Sequence, residues 1–106
     1  MDDKEFQDRA DEAIDDLYQR LVRAVEVYDF EVDFNSGALA VEFEDPPAKF
    51  IVSPNSPVKQ IWVSAHSKSF KFDWDDVRQA FMLNGQTLAE MMAGAVTQQL
   101  GEPVAL

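Results

Sequence analysis

The run Phe30-Glu31-Val32-Asp33-Phe34-Asn35-Ser36-Gly37-Ala38-Leu39-Ala40-Val41-Glu42-Phe43-Glu44 decides the fold of this chain. On either side of Asn35-Ser36-Gly37 the large apolar residues fall at every second position. Side chains of a strand alternate between faces, so each half reads as a strand with one buried face. Asn, Ser and Gly are turn residues, and Gly37 tolerates the positive φ that a tight hairpin needs. Glu31, Asp33, Glu42 and Glu44 occupy the alternate positions, which leaves the other face to water.

Upstream of this hairpin the period changes. Phe6, Ala10, Ile14, Leu17, Leu21 and Val25 recur at spacings of three and four, the stripe of an amphipathic helix over residues 3–25. Asp2 and Asp3 suit the positive end of its dipole. Downstream, Asp45-Pro46-Pro47 ends the second strand, because proline cannot donate to a ladder. A third strand is expected over 48–53 around Phe50 and Val52. A fourth is expected over Gln60 to Ala65, with Ile61 and Val63 on one face and Gln60, Trp62 and Ser64 on the other. His66-Ser67-Lys68 reads as a turn, and Phe70, Phe72 and Trp74 mark a fifth strand. A short sixth around Phe81 and Leu83 is left open, with Asn84-Gly85 as its turn. Thr87 with Glu90 three residues on is a capping box that starts a second helix. Leu88, Met91, Met92, Ala95, Val96 and Leu100 are its apolar stripe, and Gly101 and Pro103 stop it.

The order helix, five to six strands, helix, with short turns between strands, predicts an α+β two-layer sandwich. Both terminal helices pack on one face of a mainly antiparallel sheet, and residues 1–106 form a single domain. The chain has no cysteine and one histidine, His66. Thiolate metal sites, disulfides and thiol nucleophiles are therefore closed, as is any chemistry needing two imidazoles. No run approaches the roughly 20 apolar residues of a membrane span. With 20 acidic residues against nine basic ones, the formal net charge is −11. Such a chain repels nucleic acid and anionic membranes, and its natural partners are cations and basic proteins. The opening Met1 with no cationic leader reads as a cytoplasmic, bacterial chain.

The acid is concentrated: residues 1–33 hold 12 acidic side chains against four basic ones. Asp8, Asp11, Glu12, Asp15 and Asp16 recur at helical spacing opposite the apolar stripe. Asp29, Glu31 and Asp33 follow at the first strand. Hard oxygen donors of this kind suit divalent cations such as Ca²⁺, Mg²⁺, Mn²⁺ or Fe²⁺. The set also reads as a solvated helix face, as a basic-protein docking ridge, or, at the strand, as charge protecting an edge. Trp62 is expected on the water-facing side of the sheet, as an interface anchor or a cross-strand packing contact. His66 reads as a surface side chain able at most to lend a weak metal contact.

The run Ser53-Pro54-Asn55-Ser56-Pro57-Val58-Lys59-Gln60-Ile61-Trp62-Val63-Ser64-Ala65 resembles the central signature of the frataxin family, including its bacterial CyaY-type members. The Asn35-Ser36-Gly37-Ala38-Leu39 turn, the Phe72-Asp73-Trp74 strand end, the Asn84-Gly85 turn and the acidic first helix follow in family order. The resemblance spans residues 5–100 and implies the helix–sheet–helix sandwich deduced above. It implies an iron-binding protein of iron–sulfur cluster assembly that holds Fe²⁺ or Fe³⁺ weakly on an acidic ridge. It also implies docking on the cysteine desulfurase and scaffold complex as iron donor or regulator.

Together with the spacing argument, the expected metal-contacting residues are Asp8, Asp11, Glu12, Asp15, Asp29 and Glu31. Asn55, Gln60, Trp62 and Lys71 fall where the family presents its partner-facing sheet. Tyr18, Gln19, Val22 and Arg23 depart from the pattern, since many members carry further acidic pairs there. A non-enzymatic monomer is expected, with iron-driven oligomerisation left open. The alternatives are a ferroxidase on the same carboxylates, or an acidic mimic of nucleic acid. A ferroxidase centre usually draws Glu and His ligands from four helices, which two helices and one histidine do not supply.

Overall fold

The computed structural model describes all of residues 1–106. The first helix, α1, spans Asp3–Val25 as its periodicity predicts. The Asp2 carboxylate accepts a hydrogen bond from the Glu5 backbone N–H at 2.7 Å, which satisfies one of the free donors of the first turn. Phe6, Ala10, Ile14, Leu17, Leu21 and Ala24 are buried along one face.

Seven strands follow: β1 (Glu31–Asn35), β2 (Ala38–Glu44), β3 (Pro47–Asn55), β4 (Gln60–Ala65), β5 (Lys68–Asp75), β6 (Ala80–Leu83) and β7 (Gln86–Thr87). The second helix, α2, spans Leu88–Leu100. Every strand pairs antiparallel with the next, so spatial order equals chain order. The sheet thus has one strand more than the five to six expected. The addition is β7, a two-residue pairing of Met82 with Thr87 and Leu83 with Gln86 across the Asn84-Gly85 turn. Two residues are too few to show a period of two.

Three hairpins use two-residue turns with both residues at positive φ: Ser36-Gly37, His66-Ser67 and Asn84-Gly85. That geometry matches the twist of antiparallel strands. β3 is longer than expected and carries Pro54 within it, paired with Ile61. This is tolerated because β2 starts at Ala38, near the level of Ser53. Beyond that point β3 has a neighbour on one side only, so the missing N–H of Pro54 costs no ladder bond.

Both helices cover the same sheet face. Phe50, Phe72, Ile61, Val63, Leu39, Val41 and Val52 project into the shared layer and are shielded from water. Full burial of such side chains contributes about 1.5–3 kcal/mol each. Phe6 of α1 meets Phe81 of β6 edge-on at 5.8 Å between ring centroids. Thr87 and Glu90 form the expected capping box, with the Thr87 N–H donating to Glu90 Oε1 at 3.0 Å and the Glu90 N–H to Thr87 Oγ1 at 3.2 Å. Gly101 ends α2 at φ 75°. Every fully buried side chain is apolar, so whatever chemistry the chain performs takes place on its surface.

Candidate functional site: an acidic border and an open sheet face

The register of the sheet decides what shares its water-facing side. Glu31 stands opposite Glu42, and Glu42 opposite Lys49. Further along, Ser53 faces Trp62, which faces Lys71. In the next row Asn55 faces Gln60, which faces Asp73. The four residues expected to meet a partner, Asn55, Gln60, Trp62 and Lys71, therefore form one contiguous patch over β3, β4 and β5. Hydrogen bonds fix that patch. Trp62 Nε1 donates to Gln60 Oε1 at 2.9 Å, and Gln60 Nε2 donates to Asp73 Oδ1 at 2.9 Å. The Lys71 ammonium sits 5.0 Å from the Trp62 ring centroid. Trp62 remains 37% exposed, so its ring is held in place yet available.

The expected metal-contacting residues are spread along α1 and the start of the sheet. Asp11 and Asp15 are exposed on α1, Asp29 is exposed in the connection from α1 to β1, and Glu31 opens β1 on the water-facing side. Asp8 and Glu12 lie nearer the start of the helix. Glu12 lines a cleft of about 310 Å³ on the opposite flank from β1, beside Arg9, Asp16, Trp74 and Phe81. Local pairing divides the set further. Asp8 is bridged to Lys4 at 2.9 Å and Asp16 to Arg20 at 2.8 Å, both one helical turn apart. Asp11 accepts a hydrogen bond from Gln7 Nε2 at 2.8 Å. The remaining ion pairs are Lys49–Glu42, Lys59–Asp3 and Arg78–Asp75. Glu12, Asp15, Asp29, Glu31 and Asp33 belong to none of the five. No three carboxylate or imidazole groups converge closely enough to hold one ion between them. Any cation on this border would meet one or two carboxylates and keep much of its water.

Two more acidic residues belong to this border by geometry: Asp33, which the sequence placed at the first strand but not among the metal-contacting residues, and Glu42, which it did not single out. Asp33 shares the water-facing side of β1 with Glu31, and Glu42 stands across from Glu31 on β2. The signal was present in the sequence. A two-residue turn at Ser36-Gly37 pairs Asn35 with Ala38, and counting back along both strands brings Glu42 opposite Glu31. His66 does not join the acidic border. Its ring packs against Phe50 at 4.9 Å between centroids, and its Nε2 lies 3.0 Å from Gln99 Oε1. Gln99 Nε2 in turn donates to the Pro46 carbonyl at 2.9 Å, so His66 ties the β4–β5 turn to α2.

A Frataxin-like domain is matched over residues 1–102, nearly the whole chain. This chain belongs to the frataxin family. Among curated relatives, the iron-sulfur cluster assembly protein CyaY of Azotobacter vinelandii is 35% identical over 98 residues, covering 89% of this chain and 88% of that protein. The protein of the same name from Dechloromonas aromatica is 35% identical over 109 residues, covering 100% of this chain and 99% of its own length. That from Tolumonas auensis is 31% identical, with the same coverage. Among solved structures, a frataxin from Psychromonas ingrahamii superposes with a TM-score of 0.75 at 25% identity, over 99% of this chain and 97% of the other. The frataxin fold thus accounts for the meander sheet with both helices on one side. No helix is long and apolar enough to cross a membrane.

Proposed function

We propose that this frataxin-family protein serves iron–sulfur cluster assembly, holding ferrous or ferric iron weakly along the α1–β1 border and docking on the cysteine desulfurase and scaffold complex as iron donor or regulator. The observation that carries this reading is the group Asp15, Asp29, Glu31 and Asp33. These are carboxylates that face water with no cation of their own. Unpaired like charges are unfavourable for the folded chain, so a ligand that neutralises them gains what the fold forgoes. Three relatives named iron-sulfur cluster assembly protein support the same reading.

Oxygen donors without a closed cage suit exchangeable cargo better than a resident cofactor. Docking follows from the same field: a strongly acidic border steers the domain onto a basic surface, and the ordered ring of Trp62 supplies the anchor. We read the protein as a carrier or regulator rather than an enzyme. A ferroxidase needs carboxylate and imidazole ligands gathered about two irons, whereas the single imidazole here faces Gln99.

Anaerobic titration of the ¹⁵N-labelled protein with Fe²⁺, followed by NMR, tests the metal half. Paramagnetic broadening confined to residues 8–33 and to β2 around Glu42 is the expected result, and an unbroadened spectrum would refute it. Calorimetry against the desulfurase tests the docking half. The Asp11→Lys/Asp15→Lys/Asp29→Lys/Glu31→Lys variant should lose binding, and unchanged affinity would remove the border from the interface.

A further inference from the structure

β1 ends the sheet. It pairs with β2 on one side and with no strand on the other. Four of its five residues are exposed. Outer N–H and C=O groups of a terminal strand are a template for another chain, and folds usually blunt them. Here the flanks differ in chemistry. On the water-facing side stand Glu31 and Asp33, neither in an ion pair. On the helix side Phe34 is 40% exposed against a half-buried Tyr18, with 5.5 Å between ring centroids. Val22, one helical turn beyond Tyr18 on α1, is 37% exposed. Tyr18, Val22, Val25 and Val32 line a groove of about 560 Å³, rimmed by Glu31, Asp33 and Glu42. Tyr18 and Val22 are two of the positions at which acidic residues are absent from an otherwise acidic helix.

We propose that the outer edge of β1 docks an extended segment of a partner protein whose side chains alternate between basic and apolar. The segment adds to the sheet beyond β1, and the inference rests on reading the α1–β1 border as a docking surface for a basic partner. An added strand obeys the same alternation as its neighbour. Its residues on the helix side fall over the groove and cover Phe34, Val22 and Tyr18, so they must be apolar. Those on the other side fall beside Glu31 and Asp33, so they must be Lys or Arg. A second copy of this chain does not meet the requirement, because two β1 edges would bring Glu31 and Asp33 of each copy together. Charge steers the encounter, and alternation sets the register, which a purely electrostatic surface does not do.

Two capped heptapeptides test this: one alternates lysine and valine, and the other has the same composition with its three valines contiguous. Amide hydrogen exchange is read by NMR on the full chain with each peptide near saturation. The alternating peptide should slow exchange of the outward-facing β1 amides at least tenfold, and the block isomer should not. Val22→Asp and Phe34→Asp change exposed side chains, and each should abolish that protection while melting stays cooperative.

If both peptides bind equally and β1 stays unprotected, strand addition is overturned while charge-driven docking stands. If neither binds, both are overturned. If Val22→Asp and Phe34→Asp keep full affinity for the desulfurase while the fourfold Lys variant loses it, the edge is not the contact. A peptide-induced dimer with β1 protected in both copies would also overturn the assignment, because the occupant would then be a second copy.

Discussion

Glu31 and Glu42 stand directly opposite each other on neighbouring strands, and only Glu42 has a cation beside it, Lys49 at 3.4 Å. Directly opposed like charges destabilise a sheet, and opposite charges contribute about 0.2–1 kcal/mol. Glu31→Lys should therefore stabilise the fold by up to about 1 kcal/mol and weaken Fe²⁺ binding at the same time. Urea denaturation and a metal titration on the same variant check both signs. A Glu31→Lys protein less stable than the parent would mean that Glu31 makes a favourable contact.

Trp62 and Phe72 lie on neighbouring strands but on opposite faces. Trp62 is 37% exposed and Phe72 fully buried. Trp62→Ala loses a cross-strand contact and a surface cation–π pair, a cost of about 1–2 kcal/mol. Phe72→Ala opens a core cavity and should cost about 3–5 kcal/mol. Denaturant midpoints with equal slopes would read these directly. Desulfurase affinity should fall in Trp62→Ala, which stays folded.

The net charge makes a further prediction. Self-repulsion of a chain at −11 is relieved as ions screen it. The screening length shortens from about 30 Å at 0.01 M to about 8 Å at 0.15 M. The melting temperature should rise over that range, while affinity for a basic partner should fall. Opposite salt slopes in two assays on one protein separate self-repulsion from steering. Parallel slopes would remove the electrostatic account of docking.

The capping box of α2 can be tested alone. Thr87→Ala removes the acceptor for the Glu90 N–H and should cost about 1 kcal/mol, with Thr87→Ser recovering most of it. Thermal melts of the two variants decide this. An Ala variant as stable as the parent would show that the first turn of α2 is held by packing alone.

Much of this fold is legible in the sequence, for identifiable reasons. The stripe from Phe6 to Val25 is long and unbroken, so α1 ends where the stripe does and starts just ahead of it, at the Asp2 cap. The Ile61–Val63 alternation bounds β4 in the same way. β7 was not legible, because it exists only as a tertiary pairing of two residues with β6. The tail of β3 was hidden by Pro54, whose tolerance depends on where β2 starts.

In the candidate site, the partner-facing patch followed from strand parity, since alternation alone puts Gln60 and Trp62 together. The acidic border was less legible. Helical spacing shows which carboxylates share a surface but not which flank meets β1 and which meets α2, and that separates Asp15 from Glu12. Lys4–Asp8 and Asp16–Arg20 could have been read from their spacing of four. The Arg9 guanidinium, 5.2 Å from the Trp74 ring centroid, could not, since it joins elements far apart in sequence.

The meander has a kinetic consequence. Because each strand binds the one that precedes it, every ladder closes over a short length of chain and the sheet can assemble hairpin by hairpin. The distant closure is left to α1, which must return from the amino end to meet Phe81 and α2. Late closure of that seam predicts that damage to it quickens unfolding and leaves the refolding rate nearly unchanged. The two ends of the polypeptide would then act as the latch on a sheet already built.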